Sequence, residues 1–442
     1  MEANTTYKGN IRILTLTTIA FFVSFVAWFN MAPFATTIQK VLSLTDQEIK
    51  VLAVVNVALT IPARILIGML VDRFGPRRVY TILLATMSIP CFMFAMGTTF
   101  TQLLISRLLL GIIGAGFVVG IRMVSEWFPS KQMGLAEGIY GGWGNFGSQA
   151  ATFLLPLLAI LFLGTVEDGW RFAIALTGVL SLVYSGIYYF SVQDTPAGKE
   201  FKKPKRHGAM VVSSYKDLIF LMGMTLPMYV ILGVLVWKLN TLNMIRSPID
   251  LNIYLGLLLL YGFNCFKIWD VNRSHLSKTV EAKDQYKFKQ VALLDLAYFV
   301  TFGAELALVS MLPTFFQKTF SLSVIQAGLI AGNFTLIYFF ARPMGGWLCD
   351  VLGRRKILLI LLAILSVCFF VLSHVDSTWP ISAAIVVAMI TMLFIKAGEG
   401  AVYAIVPLIH KGSTGQISGM VGAYGNVGSV TYLTILTFVS PQ

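Results

Sequence analysis

Charge is what this sequence has least of. Only 12% of its 442 residues are Asp, Glu, Lys or Arg, against 57% hydrophobic, and the mean hydropathy is +0.79. So few charges do not describe a soluble globular protein, and the chain reads as a polytopic membrane protein. Cysteine is scarce too: Cys91, Cys265, Cys349 and Cys368 lie within or beside apolar segments, without metal-ligand spacing. They are expected to be plain buried residues, and no metal site is expected. No nucleophile triad and no phosphate loop is present, so the chain is not expected to be an enzyme and no cofactor is implied. The first apolar segment lacks a small-residue cleavage site and is long enough to span, so it reads as a retained helix.

What is there is a series of apolar segments of about 20 residues, the length a bilayer core requires. They lie near residues 11–33, 49–71, 79–97, 102–124, 137–163, 171–192, 218–237, 251–268, 291–316, 324–348, 357–374, 379–409 and 416–439. The net charge of +13 is a matter of topology, because the basic residues sit in short connections and no base-reading module surrounds them; nucleic acid is not an expected partner. Lys8 and Arg12, "DRFGPRR", Lys199 to Lys216, "GRRK" and His410-Lys411 fall on one side of the bilayer, while "GTTFTQ" and "TVEDG" fall on the other. The positive-inside rule places the first group, and the N-terminus, in the cytoplasm.

The chain repeats. "ARILIGMLVDRFGPRR" from Ala63 aligns without gaps on "ARPMGGWLCDVLGRRK" from Ala341 at an offset of 278 residues, pairing Arg64 with Arg342, Gly68 with Gly346, Asp72 with Asp350, Gly75 with Gly353 and Arg77 with Arg355. A second pair repeats at an offset of 281: Gly134, Gly138, Gly141, Gly144, Asn145, Gly147 and Ser148 match Gly415, Gly419, Gly422, Gly425, Asn426, Gly428 and Ser429. Two motifs duplicated at nearly one spacing imply two homologous halves. The expected units are an N-terminal bundle over 1–193, a linker over 194–289 that holds two inserted apolar segments, and a C-terminal bundle over 290–442.

"GMLVDRFGPRR", with Arg73 inside it, and "GWLCDVLGRRK" resemble the repeated loop motif of the major facilitator superfamily. The resemblance implies an all-α membrane fold of two six-helix bundles, related by a pseudo-twofold axis along the membrane normal, with a substrate site between them. Two departures are expected: the segments between about 218 and 268 form an extra hairpin, and only one span follows the tenth, so the last helix of that pattern is missing.

Arg64 and Arg342 each stand eight residues before the loop Asp. At 1.5 Å per residue they lie roughly 12 Å inside the bilayer, where an arginine costs about 2.5 to 3.5 kcal/mol even on mild insertion scales. Two planar, permanently charged forks at matched depth suit a small flat oxyanion, which each can hold by two parallel hydrogen bonds. Such a site binds strongly, and some other element must loosen it for release. Gly134, Gly138, Gly141, Asn145, Ser148 and Thr152 fall within about 40° of one helix face, as do Gly415, Gly419, Gly422, Asn426 and Ser429. Small residues there admit a neighbouring backbone, and Gly144 and Gly147 extend the bare surface to the adjoining face. Asn145 and Asn426 are then the long polar groups of that surface, and a substrate oxygen could partner them.

"GGWGNFGSQ" and "GAYGNVGS" closely resemble the paired nitrate motifs of the nitrate/nitrite porter family within that superfamily, and the inserted segments resemble its cyanobacterial members. The resemblance implies that Arg64 and Arg342 clasp nitrate, and that the glycine helices bearing Gly141, Gly144, Gly147, Gly422, Gly425 and Gly428 slide as access alternates. Tyr298 and Phe302, one turn apart, match aromatics that line the family's site, and Phe22 aligns with Phe302 between halves. Import against a negative-inside potential costs about 2.3 kcal/mol per charge per 100 mV, so proton symport is expected, with exchange for nitrite or a sensor without flux as alternatives. Glu305 is the preferred proton group, Glu399 another, and Asp295 a third acid within a span that could titrate. Lys396, one turn before Glu399, is expected to pair with it locally, and Arg122 or Arg107 could neutralise an acid. The expected setting is the cytoplasmic membrane, with nitrate, nitrite, protons and the lipid bilayer as partners of a monomer.

Overall fold

A computed structural model describes residues 7–204, 208–241, 244–245, 247–277, 285–323, 326, 330, 334 and 336–438. Among the described residues there is no strand. The helices of the first half are α1 (Asn10–Trp28), α2 (Ala35–Val41), α3 (Asp46–Ala58), α4 (Thr60–Phe74), α5 (Pro76–Met96), α6 (Phe100–Leu110), α7 (Gly116–Trp127), α8 (Met133–Leu163) and α9 (Val166–Ser191). Then come α10 (Tyr215–Thr241), α11 (Ile249–Leu276), α12 (Phe288–Phe320), α13 (Leu336–Leu352), α14 (Arg354–Leu372), α15 (Ile381–Tyr403), the short α16 (Val406–Ile409) and α17 (Thr414–Phe438). Eleven helical stretches among the described residues are long and apolar enough to cross a membrane. α13 and the glycine-rich α17 complete the expected thirteen, although most of residues 324–335, the start of the expected tenth segment, lies outside the described residues.

Local chemistry sets the helix ends. Thr45 and Thr99 each open a helix with a reciprocal capping box, to Glu48 and Gln102, which satisfies amide groups that a helix start leaves bare. α4 stops at Gly75, whose φ of +88° only glycine adopts freely, and Pro76 restarts the chain as α5. The second copy does the same at Gly353, with φ of +99°, before α14. The expected segment at 102–124 is not one continuous α-helix, since a tighter turn over Gly111–Ala115 separates α6 from α7.

The inserted segments form α10 and α11, which pack on one another, and α10 also lies against α12 and α17. The Tyr424 hydroxyl donates to the Met224 carbonyl at 2.6 Å, tying α17 to the hairpin. α11 runs on to Leu276 instead of ending near 268, because Asn272 is fixed there: its side chain accepts from the Val212 amide at 2.9 Å and donates to the Met210 carbonyl at 3.0 Å. The chain beyond the expected end of the hairpin is therefore helical as far as Leu276. Cys91 and Cys349 are buried as expected, but Cys265 on α11 and Cys368 on α14 are only half-buried.

The contacts that position a site run between the halves. α13 lies along α8 and α17 lies along α4, so each helix of the first repeated motif packs on the glycine helix of the other half. The two crossings are related by the duplication itself.

Candidate functional site

Glycine sets how close those crossings are. A Cβ on Gly68 would sit 2.3 Å from the Gly415 carbonyl oxygen, and one on Gly134 would sit 2.1 Å from that of Gly346. Further along, a Cβ on Gly419 would meet the Arg64 carbonyl at 2.4 Å, and one on Gly138 the Arg342 carbonyl at 2.7 Å. The third glycine of each series lies under an arginine side chain: Gly141 against the Arg342 guanidinium, Gly422 against Arg64. Asn145 and Asn426 come one turn later, both buried, and neither amide atom of Asn426 has a partner among the described residues. The adjoining face serves each half's own first helix, with Gly144 against Phe21 and Gly147 against the Phe22 carbonyl and Phe25. In the second half Gly425 meets Tyr298 and Phe302, and Gly428 meets the Phe299 carbonyl.

That pattern corrects one pairing. Gly144 and Gly425 are repeat partners, so Phe21 stands where Tyr298 stands and Phe25 where Phe302 stands; Phe22 corresponds to Phe299, not Phe302. Phe22 is half-buried, its ring centroid 6.5 Å from that of Phe146. An aromatic-rich helix fits several registers by sequence alone, and the packing selects one.

Both arginines are buried, 1% exposed for Arg64 and 0% for Arg342, and they share a ring. The Cζ of Arg64 lies 5.8 Å from the centroid of Phe117 on α7, that of Arg342 5.1 Å from the same centroid. Arg64 also faces Phe302 at 5.4 Å, and Arg342 faces Tyr403 at 5.8 Å, so the guanidiniums rest on aromatic faces whose quadrupole favours a cation. Tyr298 is enclosed by Phe302, stacked at 5.2 Å, and by Tyr403, edge-on at 5.0 Å. Phe117 and Tyr403 carry no repeat signal, and sequence reasoning missed both.

The two forks differ in their partners. Arg64 donates through Nη1 to the Gly422 carbonyl and through Nε to the Gly114 carbonyl at 3.4 Å. Arg342 donates through Nη1 to Glu399 Oε2 at 2.8 Å, while its Nε and Nη2 are buried without a partner among the described residues. Lys396 Nζ reaches Glu305 Oε2 at 2.5 Å and Glu399 Oε2 at 3.3 Å, so the expected local pair is one edge of a larger cluster. Glu137 and Asp295 are wholly buried, with both carboxyl oxygens unpartnered among the described residues. Among the described residues Arg107 neutralises no acid: it donates to Asn30 Oδ1 and the Trp28 carbonyl, each at 3.1 Å.

The loop motif fastens one end of this seam. Asp72 accepts from the amides of Gly415 and Gln416, at 2.8 and 2.9 Å, at the start of α17, and pairs with Arg122 at 3.1 Å. Asp350 accepts from the Leu135 amide at 2.9 Å, at the start of α8, and pairs with Arg354 at 2.8 Å. Each acid thus meets the positive end of the other half's glycine helix. The motif's own Arg73, Arg77 and Arg355 stay within their halves: Arg73 faces Phe74, Arg77 donates to the Tyr189 carbonyl at 2.7 Å, and Arg355 is exposed.

Replacing Asp72 with Asn leaves an amide group against a helix start that needs acceptors, a loss of about 1 to 3 kcal/mol. In a cysteine-free background carrying Ser418→Cys, a buried position on α17, Asp72→Asn is expected to raise the maleimide labelling rate about tenfold. An unchanged rate would mean that Asp72 does not hold the seam.

The sequence profile of the Major Facilitator Superfamily matches residues 17–432, and the chain belongs to that superfamily. It is 48% identical over 439 residues to the nitrate/nitrite transporter NrtP of Nostoc punctiforme, covering 98% of this chain and 88% of that one. It is 44% identical over 459 residues to the nitrate/nitrite transporter NrtP of Picosynechococcus, covering 98% and 86%. The fold is also that of the E. coli fucose:proton symporter FucP, with a TM-score of 0.65 at 11% identity over 98% of this chain and 93% of that one.

Proposed function

We propose that this member of the Major Facilitator Superfamily is a secondary active carrier that imports nitrate, and nitrite with it, by alternating access. The observation that carries the reading is the pair of buried guanidiniums, from matched repeat positions, that share the Phe117 ring at 5.8 and 5.1 Å from its centroid. Two unspent donors of Arg342 and the unpartnered amide of Asn426 are what a small trigonal oxyanion would take up. The relatives' names support nitrate over other flat anions of that size. Arg64 and Arg342 clasp the anion, Asn145 and Asn426 hold its remaining oxygens, and Tyr298, Phe302 and Phe22 line its approach.

In this reading the seam fastened by Asp72 and Asp350 is the cytoplasmic gate, closed here. The glycine faces of α8 and α17 are the surfaces that part when it opens, with Gly68, Gly75, Gly346 and Gly353 allowing the loop motif to dock. The N-terminus is cytoplasmic, the membrane is the cytoplasmic membrane, and one chain is the working unit. Protons drive import, with Glu305 and Glu399 as the groups that take them up.

The test is isotope-labelled nitrate uptake into proteoliposomes, with an imposed proton gradient in one set and internal nitrite in another. Gradient-driven uptake is expected. Uptake only with internal nitrite would replace symport by exchange, and binding without flux in either set would make the chain a sensor.

A further inference from the structure

The cluster around Arg342 contains its own anion. Glu399 Oε2 lies 2.8 Å from Arg342 Nη1 and 3.3 Å from Lys396 Nζ, so one carboxylate oxygen is shared by two cations. Lys396 in turn holds Glu305 at 2.5 Å, while Glu399 Oε1 is buried without a partner among the described residues. Arg342, Lys396 and Glu399 are each 0% exposed, and Glu305 is 6% exposed. Arg64, the repeat partner of Arg342, has carbonyl acceptors instead and meets no carboxylate among the described residues. The duplication therefore gave each half an arginine, but among the described residues only the second half supplies that arginine with a counter-charge.

We propose that Glu399 is a resident counter-anion that competes with the transported anion for Arg342, and that Lys396 accepts Glu399 when the substrate displaces it. The proposal rests on the anion-carrier reading and deepens it. Two bare guanidiniums in a low dielectric would hold an anion too firmly to release it. A carboxylate already bonded to one of them lowers that affinity, because substrate gains Arg342 only by breaking an existing contact. When substrate leaves, Glu399 returns and the guanidinium is not left uncompensated, which a buried charge cannot afford. Lys396 makes the exchange possible by offering Glu399 a second cation within hydrogen-bond reach. Glu305 keeps Lys396 in place from α12, and Glu137 on α8 and Tyr298 and Tyr403 complete the groups around Arg342.

The experiment measures nitrate affinity by calorimetry on the purified full-length chain in detergent, for the parent, Glu399→Gln, Lys396→Met and Arg64→Lys. Removing the competing anion should tighten nitrate binding about tenfold, the worth of one charge-assisted contact, while slowing uptake at saturating nitrate because release is slower. Removing Lys396 should weaken binding about tenfold, since Glu399 then has only Arg342 to hold. These opposite signs are the signature, because general damage to the fold would weaken both variants. Equal or weaker binding in Glu399→Gln, with Arg64→Lys still losing nitrate, would overturn the counter-anion and leave the carrier reading intact. Nitrate binding that survives Arg64→Lys unchanged would overturn both.

Discussion

Lysine in place of Arg342 is expected to cut nitrate uptake about a hundredfold or more, and lysine in place of Arg64 to do the same. Charge survives the substitution, so a site that needed only a positive potential would be barely affected. What is lost is the planar fork, together with at least one charge-assisted hydrogen bond to the anion worth about 1.5 to 3 kcal/mol. Arg342→Lys also disturbs the 2.8 Å contact to Glu399, so it is expected to be the more damaging of the pair. Initial rates of labelled nitrate uptake, normalised to protein in the vesicle, would check this. Near-parental uptake in both variants would remove the arginine clasp from the mechanism.

Valine in place of Gly68 is expected to bring uptake to background by a different route. Its Cβ would lie 2.3 Å from the Gly415 carbonyl oxygen and 2.9 Å from the carbonyl carbon, both backbone atoms that cannot rotate away. Overpacking against movable side chains already costs about 1 to 3 kcal/mol, and here two helices must separate instead. The closed seam is therefore denied to the protein, and the Ser418→Cys reporter should label faster even with Asp72 present. Gly186→Val is the control, because nothing lies within 4 Å of the Cβ direction there. Full uptake in Gly68→Val, or equal loss in Gly186→Val, would show that the crossing does not depend on bare backbone at that point.

Much of this is legible in the sequence. Repeats in the chain announce two related halves, and an arginine eight residues inside a span announces its own depth. Periodicity also shows that each glycine helix has a bare face. It does not say which neighbour that face meets, since small residues admit any backbone equally; only the assembled halves show that Gly134, Gly138 and Gly141 meet α13 while Gly144 and Gly147 meet α1. Phe117 was illegible for a related reason: among 33 phenylalanines, nothing local distinguishes the one that ends up beneath both guanidiniums. Glu137 is visible as an acid inside a span, but its want of partners is a fact of packing. Lys396 and Glu399 share one helix turn and could be paired by spacing, whereas their link to Arg342 crosses 57 residues of chain and to Glu305 crosses to another helix.

The crossed seam has a consequence for symmetry. Gly68 touches Gly415, and their repeat partners Gly346 and Gly134 touch each other in the same way. That is the self-complementary contact of a twofold dimer, in which patch i meets patch j and j meets i. One such half paired with its own copy would form both crossings at once. Holding both halves in one chain lets the two arginines differ, and the carboxylate beside Arg342 is a difference that a homodimer of identical halves could not hold on one side alone.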